Sequence, residues 1–341
     1  MWRYVLKRLG LMLITTFIIL SLTFILMKLI PFDHPPGTAE TRLPFYMNQV
    51  RLGYMYRVED PSVSAEVTIQ IGSTLYRFNQ YPVLTQYGSW LRGIFTEWNW
   101  GLSTRIRLNV SAMEIILDRL PYSLRLNLVS VFIAVPLGFV LGITAALNKN
   151  KPADHIISTG VMVFISIPSF VMITFLLIIF AYGLKWLPTQ WPSDGAPLNT
   201  RVLGFILPVA SLSFGSIAGF ARYTRAELAE IMSSEFLLLA RTKGLTKTQS
   251  VIRHALRNSL VPIIPMIIGE FVGLLAGSMI LENLYGIPGI GSLFITAIQQ
   301  KDYNVVMVDM AVYTMIGLLA TLLVDLSYGI VDPRIRMGAR K

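Results

Sequence analysis

The residues able to do chemistry in this chain are few. Arg125, Glu270, Asp309 and Asp325 stand within or at the ends of long apolar runs. A charge at the centre of an inserted helix costs roughly 2.5–3.5 kcal/mol, so each of these needs a partner or a task. Glu270 lies mid-run and reads in two ways. It is a buried carboxyl, neutral or paired with Arg125 or a partner subunit, or it is a carboxylate lining a solute path. Asp309, and Ser166 and Pro168 at an S-I-P-S break, join it as candidate path residues; Asp325 reads as structural. The common catalytic constellations are missing. There is no cysteine, hence no disulfide and no thiolate metal site. His34, His155 and His254 are too scattered for a zinc or catalytic cluster. No stretch fits G-x-x-x-x-G-K-[ST], so the chain does not bind ATP through a P-loop. The run from Gly286 to Gly291 (GIPGIG) has neither the spacing nor the strand-to-helix context of a dinucleotide fingerprint. It reads as a rigid turn. The chain is expected to catalyse nothing and to hold no metal or cofactor of its own.

The scaffold that must position these residues is a membrane one. The chain has 341 residues, 54% hydrophobic and only 14% charged, with a mean hydropathy of +0.59. Long uncharged apolar runs with this composition mark a polytopic, all-α membrane protein. Six spans are expected: Leu9–Ile30, Ser123–Leu147, Ile156–Leu184 with its break at Ser166–Ser169, Val202–Ala221, Leu260–Leu281 and Val305–Ile330. The first has no small-residue cleavage site after it and reads as an uncleaved span. The fourth carries Pro208 and the small residues Gly204, Ser211, Ser213, Gly215 and Gly219, which let helices approach closely in lipid.

The chain therefore divides into residues 1–30, a polar insert at 31–120 and a core at 121–341. In the insert Val67, Ile69 and Ile71 alternate with polar residues, Gly72-Ser73 follow, and then come Leu75, Tyr76 and Phe78. The pattern predicts a β-hairpin with a two-residue turn. Glu114, Ile115, Asp118 and Arg119 suit an amphipathic helix on the outer membrane surface. Sixteen Lys and Arg fall on the side of the termini, against three in the two short loops opposite. That bias places both termini and the 222–259 loop in the cytoplasm. It also accounts for the net charge of +10 without nucleic acid.

The longest cytoplasmic loop has its own pattern. Leu228, Ile231, Met232 and Leu239 recur at helical spacing. Arg241 and Lys243 sit where cations suit a helix C-terminus, and Gly244 follows as a left-handed stop. Thr246 and Gln249 form a T-x-x-Q capping box for a second helix, whose apolar face is Val251, Ile252, Ala255 and Leu256. The result is a helix–turn–helix hairpin.

The stretch Ala240–Gly244 (ARTKG), the run Arg253–Asn258 (RHALRN) and Pro262 resemble the cytoplasmic signature of oligopeptide/dipeptide ABC-importer permeases. In the wider importer family this is the E-A-A-x-x-x-G loop. Ala240 and Gly244 match it, Leu238 and Leu239 depart from it, and Arg257 replaces a proline. The resemblance covers most of the chain beyond about Gln80. It implies the six-span type I importer permease fold with a small external insert, in a bacterial cell membrane. It also implies that Glu235, Ala240, Arg241, Lys243, Gly244, Leu245, Thr246, His254 and Arg257 couple to an ATPase. By the same resemblance Gly286–Gly291 is the outer loop between spans five and six, a short segment suited to dip into the outer mouth, with Gly286, Pro288, Gly289 and Gly291 as candidate gate residues; Asp325 with Val331–Arg336 (VDPRIR) is the C-terminal signature. Glu270 stands where the family has an amide, and would face a peptide's amino end. The implied partners are a homologous second permease, two ABC ATPase subunits that bind ATP and Mg, an extracytoplasmic peptide-binding protein, peptide substrate and membrane lipid. The resemblance implies alternating access as the mechanism. Import of nickel or another small solute, or an ATPase-independent channel or secondary transporter, stand as alternatives; the last leaves the hairpin unexplained.

Overall fold

A computed structural model describes residues 2–30, 34–275 and 278–331. In chain order its elements begin with α1 (Trp2–Leu29), α2 (Ala39–Arg51), β1 (Met55–Arg57), β2 (Val67–Ile71), β3 (Thr74–Gln80) and α3 (Val83–Glu97). There follow α4 (Ala112–Leu147), α5 (Pro152–Ser166), α6 (Ser169–Leu176) running on as a π-helical segment to Gly183, and α7 (Leu198–Met232). Next come α8 (Glu235–Thr242), α9 (Lys247–Ser250), a π-helical segment at Val251–Ala255 and α10 (Leu256–Leu275). The last are α11 (Met279–Tyr285), α12 (Ile290–Gln299) and α13 (Tyr303–Val331).

Among the described residues four helices are long and apolar enough to cross a membrane, at Tyr4–Leu29, Ala112–Leu147, Leu198–Met232 and Tyr303–Tyr328. The expected third span is a pair, α5 and the Ser169–Gly183 helix, bent by 102° at Ile167–Pro168. Proline at 168 disfavours helical backbone at the preceding residue, and Ile167 is extended there (φ −97°, ψ 114°). The expected fifth span is not one helix to Leu281. Its described apolar part is the shorter Asn258–Val272, and a separate helix, α11, begins at Met279. Glu114–Arg119 are helical, as expected, and form the first turns of α4. Ile115 and Ile116 there are wholly buried, so the apolar side of these turns continues directly into the span.

The chain forms two compact units. One comprises residues 10–119 and 293–315. Its soluble-type part is a three-stranded antiparallel sheet of order β1-β3-β2. Ile71 pairs with Thr74, so Gly72-Ser73 is the two-residue turn expected, with Gly72 at φ +58°. Two elements go beyond that expectation: β1 on the far side of β3, and α2, whose Tyr46 stacks on Phe78 in a core with Met55, Val67 and Ile69. In the same unit Asp302 is wholly buried and accepts the Ser103 hydroxyl at 2.6 Å and the N–H groups of Thr104, Arg105 and Ile106.

The other unit comprises residues 1–9, 120–292 and 316–341. Within it α7 is packed by α5, α6 and α10. Gly138 and Gly142 of α4 meet α7 so closely that a Cβ would lie 2.5 Å from the Phe220 and Thr224 side chains. Small residues four apart are the usual means of bringing two helix backbones together in lipid. Asp154, almost wholly buried, pairs with Arg225 (Nη2–Oδ2 2.7 Å) and accepts the Asn150 N–H, tying the α4–α5 turn to the end of α7. Arg8 pairs with Asp325 at 2.8 Å and Tyr4 donates to the same carboxylate, so the start of α1 is held to the end of α13. Asp325 is thus structural, as expected; the Val331–Arg336 signature lies, beyond Val331, outside the described residues.

Candidate functional site

The hairpin is built by two breaks in helical backbone. α7 ends at Met232, and Ser233 and Ser234 turn their hydroxyls back onto the carbonyls of Glu230 and Ile231. This resets the helical phase. Leu237, not Leu239, joins Leu228 in the buried cluster with Ala146, Val251 and Ala255. The uninterrupted face expected from Leu228 to Leu239 is therefore corrected, and Leu239 is 57% exposed. Gly244 adopts the expected left-handed conformation at φ +96°, with open space where a Cβ would project. The capping box forms in both directions: the Thr246 N–H donates to Gln249 Oε1 at 3.2 Å, and the Gln249 N–H to Thr246 Oγ1 at 3.3 Å. In the second half Val251 and Ala255 are buried, but Ile252 is 60% exposed, because the segment is π-helical and its side chains do not keep the 3.6-residue phase.

The hairpin thus anchors one apolar face on the end of α4 and leaves another uncovered. Phe236, Leu238, Leu239 and Ile252 are exposed, beside exposed Glu235, Lys243 and His254, with Ala240 and Leu245 half-buried and Thr246 exposed. The side chains of Arg241 and Arg257 lie outside those described. Four large apolar side chains exposed on one short hairpin make it a candidate interaction surface.

At the other end of α4 a second site appears that the sequence reading missed. Glu282, in α11, is wholly buried. Its Oε1 accepts the Ser123 hydroxyl at 2.7 Å and the Ser278 N–H at 3.3 Å. Its Oε2 accepts the N–H groups of Gly291 at 2.8 Å and Ser292 at 3.2 Å. Burial pushes the carboxyl above its ordinary pKa, while the four hydrogen bonds pull it back. The glycines of the Gly286–Gly291 run have distinct tasks around it. Gly286 caps α11 at φ +71°. A Cβ on Gly289 would lie 2.3 Å from both Glu282 Oε2 and Ser123 Oγ, and one on Gly291 would lie 2.8 Å from the Met279 backbone. Pro288 is half-buried in the turn between them. The run forms a turn packed around a carboxylate enclosed by donors, seven residues before Gly289. Tyr285, also buried, donates to the Pro188 carbonyl and fixes α11 to the 184–197 loop.

Glu270 on α10 receives the Ser216 hydroxyl from α7. It is not paired with Arg125, which is exposed in a small recess with Tyr122, Trp191, Asp194 and Arg201. Ser166 bonds back to Met162 within its own helix, and Pro168 caps α6, so both serve the bend. Asp309 is wholly buried in the unit that carries the insert.

The chain as a whole is similar to known proteins. Residues 138–337 match the family described as binding-protein-dependent transport system inner membrane component. The chain is 33% identical over 341 residues to the dipeptide transport system permease protein DppB of Bacillus subtilis, covering 99% of each. It is 33% identical to the oligopeptide transport system permease protein OppB of Haemophilus influenzae, covering 98% of this chain and all of that one. Among solved structures, a crystal structure of an amino acid ABC transporter with histidines aligns with a TM-score of 0.50 at 19% identity, over 63% of this chain and 94% of that one. That likeness concerns the fold.

Proposed function

We propose that this chain, which belongs to the family of binding-protein-dependent transport system inner membrane components, is a permease subunit of an ATP-driven peptide importer. Full-length relatives named as dipeptide and oligopeptide permeases support the substrate class. The observation that carries the coupling role is the uncovered apolar face of the 235–252 hairpin, in a chain with no nucleotide-binding loop. Two ABC ATPase subunits bind ATP and Mg beneath the membrane, and this face seats one of them. Ala240, Leu245 and Thr246 lie along the docked hairpin; Glu235, Lys243 and His254 rim it; Arg241 and Arg257 are the remaining basic members. A homologous second permease completes the path, an extracytoplasmic binding protein delivers peptide, and the chain itself catalyses nothing. Both termini are cytoplasmic in a bacterial cell membrane: Arg8 and Asp325 hold the two chain ends together, and the basic residues cluster on their side.

The mechanism follows from rigid connections. α4 runs from the Glu282 site to the hairpin with Pro136 between them, so ATPase closure against the hairpin moves a helix whose far end is fixed to the 278–292 segment. Alternating access is the conversion of that movement into opening and closing of the two mouths. The test is Leu239→Lys. The side chain is more than half exposed, so membrane content stays normal, while co-purification of the ATPases and peptide uptake fall together. Retention of both would remove the hairpin as the coupling element.

A further inference from the structure

The Glu282 site is too elaborate for a turn that only needs to reverse the chain. A surface turn satisfies its N–H groups with water. Here a carboxylate is taken fully out of water and surrounded by four donors from three places: Ser123 at the start of the α4 span, Ser278 at the end of the α10–α11 connection, and Gly291 and Ser292 at the head of α12. Ser123 is used twice, since its hydroxyl also accepts the Ile290 N–H at 3.0 Å. Gly289 and Gly291 are the residues whose missing side chains make room for the carboxylate. Beneath it Ile287 and Tyr285 are buried among Leu126, Ile173 and Leu281. A connection of this kind is all-or-none. With its donors held on three separate segments, displacement of any one leaves a buried charge short of donors, so the set is favoured only when complete.

We propose that Glu282 is the positioning residue of the outer gate: its carboxylate clamps the 286–291 turn to the outer end of α4, and the gate opens by exchanging this set of hydrogen bonds for water. The proposal rests on the permease reading, and specifies which group holds the outer mouth shut. Ser123 and the hairpin's seat at Ile143 and Ala146 are on one helix, so a movement imposed at the hairpin is carried to the clamp along α4, past Pro136. The clamp needs a carboxylate. An amide in the same place offers one acceptor oxygen, and its NH2 group faces either the Gly291 and Ser292 N–H groups or the Ser123 hydroxyl and Ser278 N–H. One oxygen's donors are left without an acceptor in either orientation.

The test uses the assembled importer in detergent. The chain has no cysteine, so Ile287→Cys places a single thiol in this chain under the turn, where the native side chain is 1% exposed. With Glu282 present, maleimide modification should be slow without nucleotide and accelerate when the ATPases are trapped with ATP. With Glu282→Gln it should be fast in both states, by roughly tenfold over the unmutated resting rate, and uptake should fall while the ATPases still co-purify. Ser123→Ala, which removes one donor and spares the carboxylate, should give the same loss of nucleotide dependence in weaker form, and serves if the glutamine variant does not accumulate. Slow modification in both variants, or a rate in the unmutated clamp that nucleotide does not change, would show a static structural bond and overturn the proposal. Loss of ATPase co-purification from the unmutated chain would instead strike at the permease reading.

Discussion

The two ends of α4 are built on opposite principles. From Ser123 to Ala146 the helix rises about 35 Å, slightly more than the hydrocarbon thickness of a bilayer. At its first end a carboxylate is buried and fully provided with donors, and two glycines are there because no side chain fits. At its second end the backbone is equally well capped, but large apolar side chains face outward and the decisive glycine has empty space beside it. The first end is complete within the chain. The second is a finished backbone shape that leaves large apolar side chains exposed. Glycine does different work in the two places. Gly289 is needed for its volume and Gly244 for its backbone angle.

That distinction can be broken by mutation, and the largest effect belongs to the filled end. Gly289→Val sets a branched side chain against Glu282 and Ser123, and the expected cost is about 3 kcal/mol, at the upper end for overpacking. It should lower both yield and the thermal midpoint in detergent; a protein as stable as the parent would mean that the turn is not packed as described. Gly244→Val carries the left-handed penalty of about 1–2 kcal/mol and no steric clash. It should insert normally yet lose ATPase co-purification and uptake. If it lost membrane content instead, the hairpin would be part of the core rather than a docking element.

A third experiment sharpens the comparison by assigning sides. Ser73 and Lys243 are both exposed. In intact cells Ser73→Cys should react with an impermeant maleimide and Lys243→Cys should not. The reverse result would invert the topology. The smallest effect is expected at Glu270→Gln. Its described partner is a hydroxyl, which donates as well to an amide oxygen, so stability should change by less than about 0.5 kcal/mol and uptake across peptides of different charge should stay at the parental profile. A shift in charge preference would make Glu270 a substrate contact.

Much of the hairpin was legible because its signals are local. Gly244, the Thr246–Gln249 box and the Gly72-Ser73 turn are each fixed within a few residues by backbone geometry, and all three are found as expected. The S-I-P-S break is of the same kind. What failed was periodicity carried across a discontinuity. Leu239 and Ile252 keep helical spacing to their neighbours in sequence, but the Ser233–Ser234 turn and the π-helical segment rotate them to the surface.

The presence of long apolar helices was also open to sequence reading, since hydrophobicity is a sum over the chain and needs no contacts. The roles of Glu282, Asp302 and Asp154 were not. Each is a carboxylate in or beside an apolar stretch, and nothing adjacent in sequence says whether it is buried. For Glu282 the deciding donor is Ser123, 159 residues away; for Asp302 it is Ser103, 199 away; for Asp154 it is Arg225, 71 away. Whether a charge inside a membrane protein is a cost or a clamp depends on donors brought to it from other helices, and only the folded arrangement of those helices supplies them.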